Sequence, residues 1–299
     1  MNNIYLSKYA SAVENALKLK DISDDFVDVD KIKADGYIEL PMDDEILKKY
    51  NSFRNYMELL YTEKFDGVIA FNSSPTIPSF VAENGPVFVE DNATTTEKYR
   101  AYKLALITKV KTSVISDIRI NMTDYLKKNL AKRYGKAEEN AIINGNGVNE
   151  PLGLLNYDLE GIESNAITYD AVIDLFFSLD KDYRDEAVFI TSDKTALTLR
   201  KLKDEAGNYL WNEATDTILG KKIIISNYMT DEAKPLLFGN FTYLTFLIRE
   251  KINIKVLKEL YMDNNDIGYA SKERIDFKLT DLKAVKVLTI SSNESNWYG

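Results

Sequence analysis

Leu6, Tyr9, Val13 and Leu17 recur at spacings of three or four, so residues 3–19 are predicted to form a short amphipathic helix, docked on its own core in the first reading and a partner-binding arm in the second. Residues 21–49 break that rhythm. Acid dominates there, with Asp24-Asp25, Asp28, Asp30 and Asp43-Asp44-Glu45, and an irregular arm is expected, followed by a second short helix near 43–61 that ends at Tyr61. Asn72-Ser73-Ser74-Pro75-Thr76-Ile77-Pro78 marks an extended connection, because proline disfavours helix at itself and at the residue before it. Val87-Phe88-Val89 and Tyr99 to Val110 then read as two strands of a hairpin, joined by the polar Asp91-Asn92-Ala93-Thr94-Thr95-Thr96. The joining loop has no Asn-Gly or Asp-Gly turn, so a mobile tip is expected.

The longest helical stripe follows. Ile118, Met122, Tyr125, Leu126, Leu130, Tyr134, Ala137 and Ala141 share one face of residues 118–143, a spine of roughly 39 Å at about 1.5 Å per residue. Gly145 just beyond it suits a C-terminal cap.

After the turn-rich Asn144-Gly145-Asn146-Gly147 and Pro151-Leu152-Gly153, helix and strand alternate. Thr168 can cap a helix bearing Val172, Ile173, Phe176 and Leu179; Val188-Phe189-Ile190 is a buried strand; Ser192 can cap a helix running to Lys203; and Ile223-Ile224-Ile225 is a further strand. This is a mixed α/β module. Strands continue at Leu236-Leu237-Phe238 and Tyr243 to Ile248. Ile252, Ile254 and Val256 then alternate with Lys251, Asn253 and Lys255. A loop at 261–271 leads to Ile275–Leu279 and Ala284–Ile290, closing a second sheet. No internal repeat or low-complexity segment interrupts the pattern.

Composition narrows the chemistry. The 299 residues are 45% hydrophobic and 28% charged, enough for one large domain or two smaller ones. Cysteine and histidine are both absent, which removes disulfides, thiolate and imidazole nucleophile systems, and the commonest ligands for transition metals. A net charge of −9 opposes tight binding to a phosphate backbone. No apolar run reaches the ~18–20 residues of a membrane span, and Met1-Asn2-Asn3-Ile4 lacks a signal-peptide layout, so a soluble protein made in a cytoplasm is expected.

Candidate sites are few and weak. Asp263-Asn264-Asn265-Asp266-Ile267-Gly268 has the look of a calcium loop, but Ile267 occupies the fifth position and Arg274 the twelfth, so a solvated turn is expected. Gly145-Asn146-Gly147 follows a helix instead of opening one and reads as a helix stop. Carboxylate pairs such as Glu138-Glu139 or Glu213 with Asp216 could divide acid and base roles, yet with 47 acidic residues chance pairs are expected, and these read as solvated surface. The 19 tyrosines lack interleaved basic residues and suit cores and interfaces.

Three local motifs, in order, carry a resemblance. Glu139-Asn140-Ala141-Ile142-Ile143-Asn144-Gly145-Asn146-Gly147 runs into Glu150-Pro151-Leu152-Gly153-Leu154-Leu155. Leu199-Arg200-Lys201-Leu202-Lys203-Asp204 is followed by Gly207, Tyr209-Leu210-Trp211 and Thr217-Ile218-Leu219-Gly220. Leu237-Phe238-Gly239-Asn240-Phe241 continues to Tyr243 and Ile248-Arg249. Across roughly residues 80–290 the chain resembles the major capsid proteins of tailed bacteriophages with the Hong Kong 97 type fold. The resemblance implies an α+β fold with an N-terminal arm (1–70), an extended hairpin loop (71–112), a peripheral domain on the long spine helix (113–159 and 251–279) and an axial α/β domain (160–250 and 280–299).

It further implies a subunit without catalytic residue, cofactor or metal, self-assembling through pentamers and hexamers into an icosahedral shell around double-stranded DNA that it does not bind tightly. Val87, Phe88, Val89, Tyr99, Tyr102 and Leu104 are the candidate contacts with neighbouring subunits. Expected partners are further copies, a scaffold protein, a portal, and protease or decoration proteins, with assembly in the host cytoplasm and residence in the virion. Some relatives weld subunits through a lysine–asparagine isopeptide bond, for which Lys98 or Lys103 and Asn264 or Asn265 lie in the corresponding regions. Only some 70 residues precede the hairpin, so a separate scaffold, or a processed or short-armed form, is expected. Two alternatives stand beside this reading: an encapsulin-like compartment of the same fold, and a carboxylate-based hydrolase.

Overall fold

The computed structural model describes residues 36–38, 44–72, 79–83, 85, 94–113, 122–204, 206–230 and 233–291. The elements, in chain order, are β1 (Gly36–Ile38), α1 (Asp44–Lys48), β2 (Glu58–Tyr61), β3 (Asp66–Asn72), β4 (Thr94–Arg100), β5 (Tyr102–Lys111) and α2 (Met122–Asn144). They continue with β6 (Gly161–Ser164), α3 (Tyr169–Ser178), α4 (Lys181–Arg184), β7 (Val188–Thr191), α5 (Asp193–Arg200), β8 (Thr217–Ile218) and β9 (Lys221–Ile225). The last are β10 (Leu236–Gly239), β11 (Leu244–Leu257), β12 (Asp266–Leu279) and β13 (Val285–Ile290).

Two compact units emerge. Among the described residues one draws on 36–38, 103–113, 122–127 and 250–273, and the other on 44–102, 128–249 and 274–291. The larger unit holds a six-stranded mixed sheet in the order β6-β13-β10-β7-β9-β8. Its central strand β7 is buried at all four residues, since β10 and β9 pair with its two edges and both faces are covered. Alternation divides the strand residues between two cores. Val188, Ile190, Ile224, Leu237 and Val287 join Phe53, Ile142 and Ile143 on one side, while Phe189, Ile223, Leu236, Phe238 and Leu288 join Val172, Leu175 and Leu179 of the α3 segment on the other. The N-caps are as expected: Thr168 accepts from Ala171 N and Ser192 from Thr195 N. The second helix stops at Arg200, three residues before Lys203.

A five-stranded sheet is ordered β1-β11-β12-β5, with β2 also on β11. In the smaller unit Ile252, Ile254 and Val256 are buried at alternate positions, as their spacing predicts, and Leu257, Tyr261 and Ala270 form a small core. Segments read as two strands, Tyr243–Ile248 and Ile252–Val256, are one continuous β11, and the loop at 261–271 is a short 3-10 turn followed by β12 from Asp266.

Two expectations are corrected. The helix near 43–61 ends at Lys48; a 3-10 turn, Ser52–Asn55, follows, and Glu58–Tyr61 is a strand parallel to β11, with Leu59 opposite Phe246. Pairing along Thr245–Ile248 satisfies the backbone there, and tertiary contact overrides the local helical spacing of Met57 and Leu60. The hairpin is also built differently: Thr94–Arg100 pairs antiparallel with Asp66–Asn72, from Asp66 opposite Arg100 to Asn72 opposite Thr94, so Thr94-Thr95-Thr96 is strand. Tyr102 onward belongs to another sheet. Val87, Phe88 and Val89 lie outside the described residues, as do the helix at 3–19, the arm over 21–35 and residues 118–121 of the spine.

Gly145 ends the spine by closeness and not by left-handed backbone. A Cβ there would sit 2.1 Å from the Pro151 carbonyl oxygen, and one on Gly153 would sit 2.4 Å from Gly145 N. The first motif is therefore a turn folded back on the helix end, closed by Gly153 N donating to Gly145 O at 2.8 Å and by Asn156 Nδ2 donating to the Asn144 and Gly145 carbonyls.

Candidate functional site

The hairpin base is anchored through Tyr99, the buried residue of β4, and its neighbour Arg100. Tyr99 is covered by its own chain: its hydroxyl meets that of Thr62 at 3.0 Å, and its ring lies where a Cβ on Gly67 would clash at 2.7 Å. The next residue, Arg100, donates its backbone N–H to Asp276 Oδ2 at 2.9 Å. Asp276 is fully buried, and desolvation raises its carboxyl above the ordinary aspartate range against the opposing pull of two backbone donors and Lys278. Tyr102 is half-buried and donates its hydroxyl to the Gly147 carbonyl at 3.3 Å, and Leu104 is half-buried.

The cross-link candidates are all at the surface. Lys98 is exposed on β4 opposite Val68, itself 56% exposed, and Lys103 is exposed on β5. Asn264 and Asn265 are exposed in the turn before β12. Asn265 adopts φ 54°, a left-handed conformation that asparagine tolerates, and its carbonyl accepts from Thr112 N and Oγ1.

Two carboxylates read as solvated surface prove buried. Glu138, fully out of water, accepts from Arg54 Nε and Nη2, both at 2.7 Å, and from Asn51 Nδ2 at 2.8 Å. Glu139 accepts from Ser226 Oγ at 2.6 Å, and burial pushes its carboxyl up despite that bond and one from the Ser52 backbone. The stripe on α2 gave no hint, because the residues that neutralise and cover these carboxylates lie more than 80 positions away. Neighbours on a helix point about 100° apart, so the two groups serve different partners and do not form an acid–base pair across a cleft. Glu213 is exposed as expected, and Asp216 accepts from Arg200 Nη2 at 2.7 Å and Trp211 Nε1 at 2.9 Å.

Sequence reasoning also missed a cationic cluster. Arg100, Arg249 and Arg274 converge on the ring of Phe65. Only the exposed Phe65 in a polar stretch hinted at it. Among the described residues no group of three or more acidic side chains converges in a way that could hold a metal, and no helix is long and apolar enough to cross a membrane. What this arrangement can do is hold strands and helix in register and offer charged and apolar surface to another molecule.

The family model described as phage capsid family matches residues 41–290. Solved structures agree in fold. The capsid of an empty GTA particle superposes with a TM-score of 0.68 at 21% identity, covering 94% of this chain and 98% of that one. A Microbacterium phage Oxtober96 structure gives 0.63 at 16%, covering 92% and 98%. A satellite phage P4 procapsid that includes a size determination protein gives 0.58 at 12%, covering 83% and 98%. No curated protein matches the sequence.

Proposed function

The chain belongs to the phage capsid family as a structural, shell-forming virion protein, and we propose that its copies close through pentamers and hexamers into an icosahedral head around double-stranded DNA. The observation that carries this reading is the family match over residues 41–290, joined to a structure in which β3 and β4 form a two-stranded sheet apart from the larger mixed sheets. A hairpin of two strands is marginal in water by itself, so it gains by lying on a neighbouring copy. Tyr102 and Leu104 at its base, and Val87, Phe88 and Val89 in the stretch between its strands, are the residues we assign to such contacts. The six-stranded sheet supports an axial domain over 160–250 and 280–299; a peripheral domain over 113–159 and 251–279 remains part of the proposal, although residues 128–159 and 274–279 fall in the same compact unit as that sheet.

The chain works without catalysis in this reading. The buried carboxylates of Glu138 and Glu139 are held by Arg54, Asn51 and Ser226, which supports architecture over hydrolysis. Scaffold, portal and decoration proteins are the partners proposed for it, with assembly in the host cytoplasm. Electron microscopy of the expressed protein tests the reading: closed particles of uniform size are expected, and a protein that stays monomeric at all concentrations refutes it. Particles filled with enzyme instead of genome-length DNA would favour the compartment alternative.

A further inference from the structure

The spine helix carries its charge on one side. Residues 125–137 hold five cations, Lys127, Lys128, Lys132, Arg133 and Lys136, and no carboxylate, in a chain with 47 acidic residues among 299. Lys128, Lys132, Arg133 and Lys136 are all exposed on α2. Each residue of a helix turns about 100° around the axis, so these four fall within an arc of roughly 140°, and Lys128, Lys132 and Lys136 follow one another at about 6 Å along it.

The subunit itself does not account for this face. Exposed helix charges are usually answered by opposite charges three or four residues away, yet among the described residues none of the four cations forms an ion pair. Glu138 and Glu139, just beyond the row, are buried and held by Arg54, Asn51 and Ser226. Lys136 acts on Glu139 through space, but burial, the larger effect, still holds that carboxyl above its ordinary range. The helix macrodipole favours cations only in the last turn, and Lys136 lies two turns before the helix ends at Asn144. Like charges at this spacing weaken a helix, so an anion lying on the face would relieve it.

The character of the row selects the anion. Among the described residues no large apolar side chain is exposed between Lys128 and Lys136, whereas a protein interface is built on an apolar and aromatic centre from which lysine is depleted. A phosphate backbone needs no such centre. Duplex DNA presents one phosphate per about 1.7 Å of its axis, so the roughly 12 Å from Lys128 to Lys136 passes about seven of them. We propose that the Lys128, Lys132, Arg133 and Lys136 face of α2 is a contact for the phosphate backbone of duplex DNA. It is blind to sequence, weak in one copy, and strengthened by the number of copies that a shell lays along one duplex. The inference rests on the shell reading for that repetition and for the genome it meets. The net charge of −9 limits what one copy can bind and does not cancel a local row, since charges more than about 8–10 Å away are largely screened in ordinary salt.

Fluorescence anisotropy of a labelled duplex, titrated with full-length protein at several salt concentrations, tests the contact. A Kd of about 1–100 µM per copy near physiological salt is expected, with a log–log salt slope of roughly −3 to −4 from four contacts at about 0.9 each. Lys128→Gln with Lys132→Gln and Lys136→Gln should weaken binding at least about tenfold at about 50 mM salt and flatten the slope by about 2.7. Lysine-to-arginine changes at the same three positions keep the charge and should keep the binding. Lys181→Gln with Lys194→Gln and Lys201→Gln, three exposed lysines elsewhere, alters the net charge equally and should move the Kd less than about twofold. If the helix triple variant loses its cooperative melt, Lys132→Gln alone serves, with a slope change of about 0.9. No binding by the unmodified chain at about 50 mM salt overturns the proposal, as do equal losses in the two triple variants. Polyglutamate that displaces the duplex at equal charge concentration would make the partner an acidic protein and also overturns it. So does a helix variant that no longer assembles while the control variant does, because the face then belongs to a neighbouring copy. Electron microscopy of the unmodified chain separates the two failures: no particles with the expected binding removes the shell reading alone, and particles without that binding remove only the contact.

Discussion

The guanidinium of Arg54 and the carboxylate of Glu138 meet in two parallel bonds of 2.7 Å across 84 residues of chain, both side chains almost wholly out of water. Asn51 adds a third donor to the same carboxylate, and the Arg54 cation lies 4.7 Å from the centre of the Phe246 ring. The pair fixes the 3-10 turn after α1 to the spine helix α2.

Removing Glu138 therefore takes from a buried guanidinium its two shortest charged bonds and leaves it the longer one to Asp44, 3.4 Å from Nη1. Glu138→Ala is expected to cost about 3–5 kcal/mol, whereas a well-packed Arg54→Met with Glu138→Leu recovers most of the loss, because the attraction in an intact buried pair is largely offset by desolvation. Urea unfolding of the isolated subunit measures both. A single variant within about 1 kcal/mol of the unmodified protein would show that water reaches the site.

Glu139 should behave in the opposite sense. Burial raises its carboxyl above the ordinary 4.5, so the native state binds the proton more tightly than the unfolded chain. Stability is then greatest below pH 4.5 as far as this group is concerned, and falls as pH rises through the raised native value. Glu139→Gln keeps an oxygen to accept from Ser226 and removes the charge. The variant should match or exceed the unmodified protein at neutral pH and show a shallower decline above pH 4.5. A residual slope of the same sign is expected from Asp276, which burial also raises. Equal slopes in the two proteins would place the titration elsewhere.

Local signals were the legible ones. Thr168 and Ser192 as caps, Val188-Phe189-Ile190 as a buried strand, and most of the spine follow from neighbours within a few residues, where spacing and side-chain chemistry act directly. The hairpin's partner strand was not legible. Asp66–Asn72 and Val87–Val89 are short apolar stretches of similar appearance, and the choice between them is made by long-range register, with Gly67 admitting the Tyr99 ring. The Arg54–Glu138 pair and the ring of arginines at Phe65 were equally hidden. Each joins residues from distant strands, turns or helices, which periodicity along one element cannot report.

The turn after the spine gives a sharper contrast between glycines. Gly145→Ala forces a methyl to 2.1 Å from a backbone oxygen that has no side-chain freedom to retreat. A loss of about 3 kcal/mol or more is expected, the upper end of overpacking. Gly207 has φ +86° but open space around it, so Gly207→Ala carries only the conformational cost of about 1–2 kcal/mol. Thermal melts of the two variants should rank in that order. The reverse ranking would mean that the 145–153 turn relaxes freely.

The hairpin should be needed for assembly and dispensable for folding. β3 and β4 form a two-stranded sheet of their own, with Thr95, Thr96, Glu97, Lys98 and Val68 exposed. What binds the hairpin to its body sits at the base: Tyr99 against Gly67 and Thr62, buried Ala101, and Arg100 N on Asp276. A cut just beyond the Ile69–Glu97 pair spares all of these, so residues 70–96 are replaced by a short Gly-Ser connection. Among the described residues of that span with a burial class none is buried, and two-stranded ribbons are marginal by themselves. The shortened protein should melt cooperatively within a few degrees of the full-length subunit, yet show no particles by light scattering at concentrations where the full chain forms them. Closed shells of normal size from the shortened chain would remove the hairpin from the assembly mechanism. Failure to fold would place residues 70–96 in the subunit's own core, and a melt of the Ile69→Ser variant, expected to be nearly unchanged, then locates how far along β3 that core extends.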